Sequence, residues 1–96
     1  MIIVRDVFRA KYGKGGDLVA LFKEAQEKWR TQYAPRILTD ASGQFFTVVA
    51  ETEFESLAAW EQAVGEYYAM PDFGDWFERM TPLVESGRRE FYNLET

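Results

Sequence analysis

An α+β domain of order βαββαβ is what this chain of 96 residues predicts, and three features predict it. Two segments, 2–9 (IIVRDVFR) and 44–52 (QFFTVVAET), are dense in β-branched and aromatic residues, as strands are. Two longer segments repeat apolar residues every three or four positions, the spacing of one helix face. Glycines and prolines punctuate the joints between them.

Segment 2–9 is strand 1. The run Tyr12-Gly13-Lys14-Gly15-Gly16 is a turn, because glycine reaches positive φ at little cost. Asp17 is the expected N-cap of helix 1, a residue type whose side chain accepts from the first free backbone N–H groups. Leu18, Leu21, Phe22, Ala25 and Trp29 share one face of that helix, and Glu24 and Lys28 form an i,i+4 pair on the other. Pro35 marks the stop. Segment 36–41 is a short strand 2, Ser42-Gly43 a hairpin turn, and 44–52 strand 3. Leu57, Trp60, Val64 and Tyr67 then step along helix 2. Met70-Pro71-Asp72 interrupts it, and a further helical piece turns Phe73, Trp76, Phe77 and Met80 inward, with Pro82 kinking or restarting the chain. Gly87 is expected to close that helix, and 88–95 (RREFYNLE) is strand 4. The result is a single ferredoxin-like domain over 1–96, a four-stranded antiparallel sheet with its helices on one face.

Composition excludes several function classes. The chain has no cysteine and no histidine. Disulfides, thiolate metal sites and cysteine nucleophiles are thereby ruled out, and so is the commonest general base near neutral pH. The expectation is no metal and no cofactor. A net charge of −5, with no basic cluster denser than Arg88-Arg89, speaks against nucleic acid. No stretch is apolar for long enough to span a membrane. Met1 runs directly into a strand rather than a leader, so a cytoplasmic location is expected.

The strands are apolar on both faces. Ile2, Val4 and Phe8 alternate with Ile3 and Val7; Phe46, Val48 and Ala50 alternate with Phe45 and Val49; Phe91 is split from Tyr92 and Leu94. Helices on one side leave the second face uncovered, and monomers avoid large exposed apolar patches. A second copy of the sheet is the expected cover, giving a homodimer. The interleaved charges, Arg5, Asp6, Arg36, Asp40, Arg89 and Glu90, cannot all be buried unpaired and are expected to line the seam or a wet cavity.

Three stretches carry a family resemblance: FRAKYGKGGDLVALFKEA, the strand 3 to helix 2 passage through FESLAAWE, and the ending ESGRREFYNLE. The pattern resembles the dimeric α/β barrel superfamily and, within it, the NIPSNAP-like branch. The resemblance implies a homodimer with two facing sheets and a cleft in each subunit between helices and sheet. It also implies relatives ranging from cofactor-independent monooxygenases and isomerases to proteins without known activity. The missing histidine sets this chain apart from the haem enzymes of that superfamily.

The candidate ligand-binding residues are Tyr67, Tyr68, Phe73, Trp76 and Phe77 around the Pro71 break, with Trp60 and Phe8. Together they could wall a cleft for a flat apolar or aromatic molecule; aromatics at helical spacing also serve simply as core. Arg88 and Arg89 could clamp a carboxylate or phosphate, or form a solvated strand start pairing with nearby acids; Arg88 is carried forward as the candidate, and Tyr92 joins it as a polar one. No catalytic residue is assigned. If the chain is instead a cofactor-independent monooxygenase or isomerase of an aromatic or lactone-like substrate, Trp60, Tyr67 or Trp76 would orient the ring. Arg88, Asp6 or Tyr92 would handle charge and protons. A buried strand carboxylate, Asp6 or Glu51, could act as a base, or form an ordinary salt bridge.

Overall fold

The computed structural model describes residues 1–29 and 34–96. In chain order the elements are β1 (Ile2–Ala10), α1 (Gly15–Lys28), β2 (Arg36–Thr39), β3 (Thr47–Phe54), α2 (Leu57–Tyr68), α3 (Phe73–Met80), a short 3-10 turn (Thr81–Leu83) and β4 (Val84–Asn93). The sheet runs β2-β3-β1-β4, and each neighbouring pair is antiparallel. This is the ferredoxin-like order, its second helix broken into α2 and α3.

Three local details differ from the expectation, each for a steric or hydrogen-bonding reason. Helix α1 begins two residues earlier than Asp17: Lys14 is its N-cap, and Asp17 lies in the first turn within 3.9 Å of Lys14 Nζ. Gly13 takes φ +82, and Gly15 is buried so closely under Phe46 that a Cβ there would lie 3.1 Å from the ring. Strand β3 starts at Thr47, because Phe46 adopts φ +59 and ends the hairpin turn, leaving Phe45 exposed. Strand 4 is the largest correction. Helix α3 stops at Met80 and Pro82 sits in the 3-10 turn, so Gly87 falls inside β4 rather than at a helix end. The reason lies across the ladder. Gly87 pairs with Phe8, and a Cβ on it would stand 3.2 Å from the Phe8 ring. A side chain there would drive that ring away.

Register sorts the strand residues onto two faces. On the helix-covered face, Thr39, Val48, Phe8 and Gly87 form one row and Ile37, Ala50, Asp6 and Arg89 the next, followed by Thr52, Val4 and Phe91. The core on this face is divided. One cluster joins Leu18, Leu21 and Phe22 of α1 to Ala10, Val48 and Met80; the other joins Val4 and Phe54 to Ala63 of α2. Of the middle row, Ile37 packs against the first cluster, whereas Ala50, Asp6 and Arg89 lie between the two and belong to neither. An ion pair beside an alanine offers little apolar surface for a helix to pack on.

Across the opposite face, Leu38, Val49, Val7 and Arg88 share a row, and Arg36, Glu51, Arg5 and Glu90 share the next, with Ile3 and Tyr92 beyond. The charged row alternates in sign. Glu51, only 9% exposed, lies 3.2 Å from Arg36 and 3.5 Å from Arg5. Arg5 in turn sits over the Tyr92 ring at 5.5 Å. No helix of the described residues packs here.

Leu18, fully buried, anchors the larger cluster. Replacing it with alanine removes packed methyl groups and leaves a void. Urea denaturation of Leu18→Ala is expected to show a loss of about 2–5 kcal/mol.

Candidate functional site: an aromatic cleft between helices and sheet

The interruption of helix 2 shapes the site. Helix α2 starts on Ser56, whose hydroxyl accepts from the Ala59 N–H, and ends at Tyr68. Met70-Pro71-Asp72 then turns the chain, and α3 sets off to lie beside α1. Two contacts fasten α3 there. The Trp76 indole Nε1–H donates to the Leu21 carbonyl at 3.0 Å, and Arg79 grips the Glu24 carboxylate with both terminal nitrogens at 2.6 and 3.1 Å. Lys28 and Asp72 add a third tie at 3.1 Å. Helix α2 follows the Val4–Phe54 cluster and α3 follows α1, so a gap opens over the middle of the sheet.

That gap is a cleft of about 520 Å³, within the ordinary range for small-molecule sites. One wall is a chain of aromatic contacts: Phe8 to Phe22 at 5.3 Å, Phe22 to Trp76 at 5.9 Å, Trp76 to Trp29 at 5.7 Å and Trp29 to Tyr67 at 6.3 Å. Phe73 joins Tyr68 at 5.0 Å and Phe77 at 5.9 Å near the helix break. On the other side Trp60 meets Phe91 edge-on at 4.9 Å. These contacts include stacked, tilted and edge-on pairs, and offset-stacked and edge-on arrangements are the favoured geometries of aromatic rings.

The floor is the row between the two core clusters. There the Arg89 Nε–H donates to Asp6 Oδ1 at 2.5 Å and Nη2 donates to Oδ2 at 3.4 Å. The guanidinium carbon lies 5.1 Å from the Trp60 ring centre, a cation–π distance. The Asp6 hydrogen bond raises the Arg89 pKa above its ordinary value, its charge and the nearby Tyr68 acting in the same direction and burial against them. Among the described residues no group of three metal-ligating side chains converges, in the cleft or elsewhere.

A scan of protein-family models finds no match for this chain, and neither does a search of curated proteins. Solved structures do match. An uncharacterized NIPSNAP domain protein from Burkholderia xenovorans superposes with a TM-score of 0.84 at 18% identity, over 98% of this chain and 94% of that one. A NIPSNAP family protein from Agrobacterium tumefaciens gives 0.83 at 17% identity, over 96% and 90%. The chain has the NIPSNAP fold. A looser likeness, TM-score 0.71 at 11% identity over 99% and 93%, is to SnoaB, a cofactor-independent oxygenase from Streptomyces nogalater. At these identities the likeness is one of fold.

On this NIPSNAP fold seven of the candidate residues surround one cleft: Phe8, Trp60, Tyr67, Tyr68, Phe73, Trp76 and Phe77. Two do not. Arg88 and Tyr92 alternate away from Arg89 and Phe91, and so sit on the uncovered face. There Arg88 donates to Glu90 at 3.0 Å, and Tyr92 lies under Arg5. The cleft's arginine is Arg89. Its signal was the alternation itself: a residue two places before Phe91 shares the face of that aromatic side chain. Trp29 and Phe22 also line the cleft, although helical spacing alone marks them only as core. Of the candidate bases, Asp6 is in the cleft, whereas Glu51 is held between two arginines on the other face.

The exposed Glu24–Arg79 pair that ties α3 to α1 carries a pH signature. Arg79's hydrogen bond, its charge and that of Lys28 lower the Glu24 pKa below its ordinary 4.5. A carboxylate with a depressed folded-state pKa stabilises the fold above its unfolded value and loses that contribution as pH falls through the folded one. Denaturant midpoints of wild type and Glu24→Gln are therefore expected to differ most above pH 4.5 and to converge as the pH drops below it.

Proposed function

We propose that this NIPSNAP-fold chain is a homodimeric protein that binds a small, flat, apolar or aromatic molecule in its helix–sheet cleft. The observation that carries this reading is the cleft itself, about 520 Å³ of space bounded by stacked and edge-on aromatic side chains. The cleft leaves aromatic surface open to solvent, and concave, mostly apolar clefts of this size with a few polar groups are where small molecules bind.

The homodimer part rests on the uncovered sheet face. Leu38 is 40% exposed and Tyr92 46%, beside Val49 and Ile3, on a face that no described helix covers. A second copy would bury this surface and place its own alternating charged row against Arg36, Glu51, Arg5 and Glu90. An isologous contact can match such a row to itself, because each charge meets a symmetry-chosen partner.

The second reading is a cofactor-independent monooxygenase or isomerase acting on an aromatic or lactone-like substrate. The observation favouring it is Asp6, a carboxylate on the floor of the aromatic cleft. It ranks second because both Asp6 oxygens already accept from Arg89, so proton transfer from a substrate would require that pair to open.

Native mass spectrometry of freshly purified protein, set against the denatured mass, tests the first reading. A dimer with extra non-covalent mass is the expected result, and a bare monomer would overturn the homodimer. Leu38→Glu is expected to shift the dimer toward monomer, read by light scattering, with little change in the monomer's own fold. Oxygen consumption or product formation with aromatic substrates would favour the enzyme reading instead.

A further inference from the structure

We propose that the cleft selects aromatic molecules bearing a neutral hydrogen-bond acceptor, such as a ketone, and discriminates against carboxylates, through the Arg89–Asp6 pair on its floor. The inference rests on the binding reading above and names the chemistry of its ligand. A guanidinium in an apolar cleft would ordinarily mark an anion site. Here that positive charge is already matched. Asp6 accepts from Nε and Nη2, so the floor carries a dipole and no net charge.

The remaining guanidinium N–H groups are still donors, since arginine offers five in a fixed fork. The Trp60 ring lies on one side of the guanidinium, and the Tyr68 side chain is within hydrogen-bonding reach of it, which leaves further N–H groups for a ligand. A carbonyl oxygen entering beside Trp60 would gain a charge-assisted hydrogen bond without bringing charge of its own. A carboxylate would gain the same bond and face Asp6 within one guanidinium's width. Like charges that close disfavour each other, and more so where apolar walls replace water. The walls supply stacking area for the ring, and the pair decides what the ring may carry.

Three ligands of almost equal shape separate these effects: 2-ethylnaphthalene, 2-acetylnaphthalene and 2-naphthoate, titrated into the purified full chain by calorimetry at neutral pH. The ketone is expected to bind about tenfold more tightly than the hydrocarbon, and the carboxylate no better than the hydrocarbon. Asp6→Asn, checked for fold by circular dichroism, removes the negative member and leaves Arg89 unmatched. In that variant 2-naphthoate is expected to gain about tenfold or more, while the ketone changes by less than about threefold. Binding of all three with equal strength, or of the carboxylate most tightly to wild type, overturns the selectivity and leaves the cleft reading standing. Binding of none overturns both. Should Asp6→Asn not fold, the wild-type order among the three ligands still decides.

Discussion

The arrangement of this molecule turns on one ion pair placed where an apolar residue would be expected. Asp6 and Arg89 face each other across β1 and β4 on the side of the sheet that the helices cover. A helix cannot pack tightly over an ion pair flanked by an alanine, because the charges need polar company and the alanine offers little surface. The helices therefore settle on either side of it. Helix α1 takes the Phe8–Val48 row, α2 takes the Val4–Phe54 end, and α3 leans on α1. The break at Pro71 makes this parting sterically feasible, since a continuous second helix would have had to choose one side. The cleft is the space that remains, with aromatic rings on its walls because they border it from two separate clusters.

The uncovered face follows a different logic. Its charges are arranged as a sign-alternating row from Arg36 to Glu90, so each side chain has an opposite charge on a neighbouring strand. That arrangement satisfies most of the polar groups. One exception is the Arg5 Nε, buried without a hydrogen-bond partner. The flanking residues Leu38, Val49, Val7 and Ile3 are apolar.

Much of the fold was legible in the sequence. The element order and the break in helix 2 follow from periodicity and proline position, which act locally. The misplaced details are those decided by distant contacts. Gly87 looks like a helix terminator until Phe8 is seen to lie on it. Phe45 and Phe46 look like strand until the turn claims them. Adjacent residues on a strand face opposite ways, so Arg88 and Arg89 cannot both reach the cleft, and Arg89 is the one that shares the face of Phe91. Arg88 and Arg89 are chemically identical, and what tells them apart is alternation with Phe91, which the pairing of Arg89 with Asp6 matches. The aromatic residues of α2 and α3 could be grouped correctly because they are close in the chain. Trp29 and Phe22, on a helix far away in sequence, could not be separated from ordinary core.

The position of β4 has one more consequence. It is ten residues long and, among the described residues, pairs only with β1, so its outer row of backbone donors and acceptors is open there. A long, flat outer strand is a template on which other chains can add, and this is how sheets begin to aggregate. The strand carries its own protection. Glu85, Arg88, Arg89 and Glu90 place charges of both signs along it, and Gly87 interrupts its run of side chains. A stray strand docking there would have to strip water from several charges at once. The same residues that hold the floor of the cleft and the charged row thus also keep this border of the sheet from recruiting unfolded neighbours.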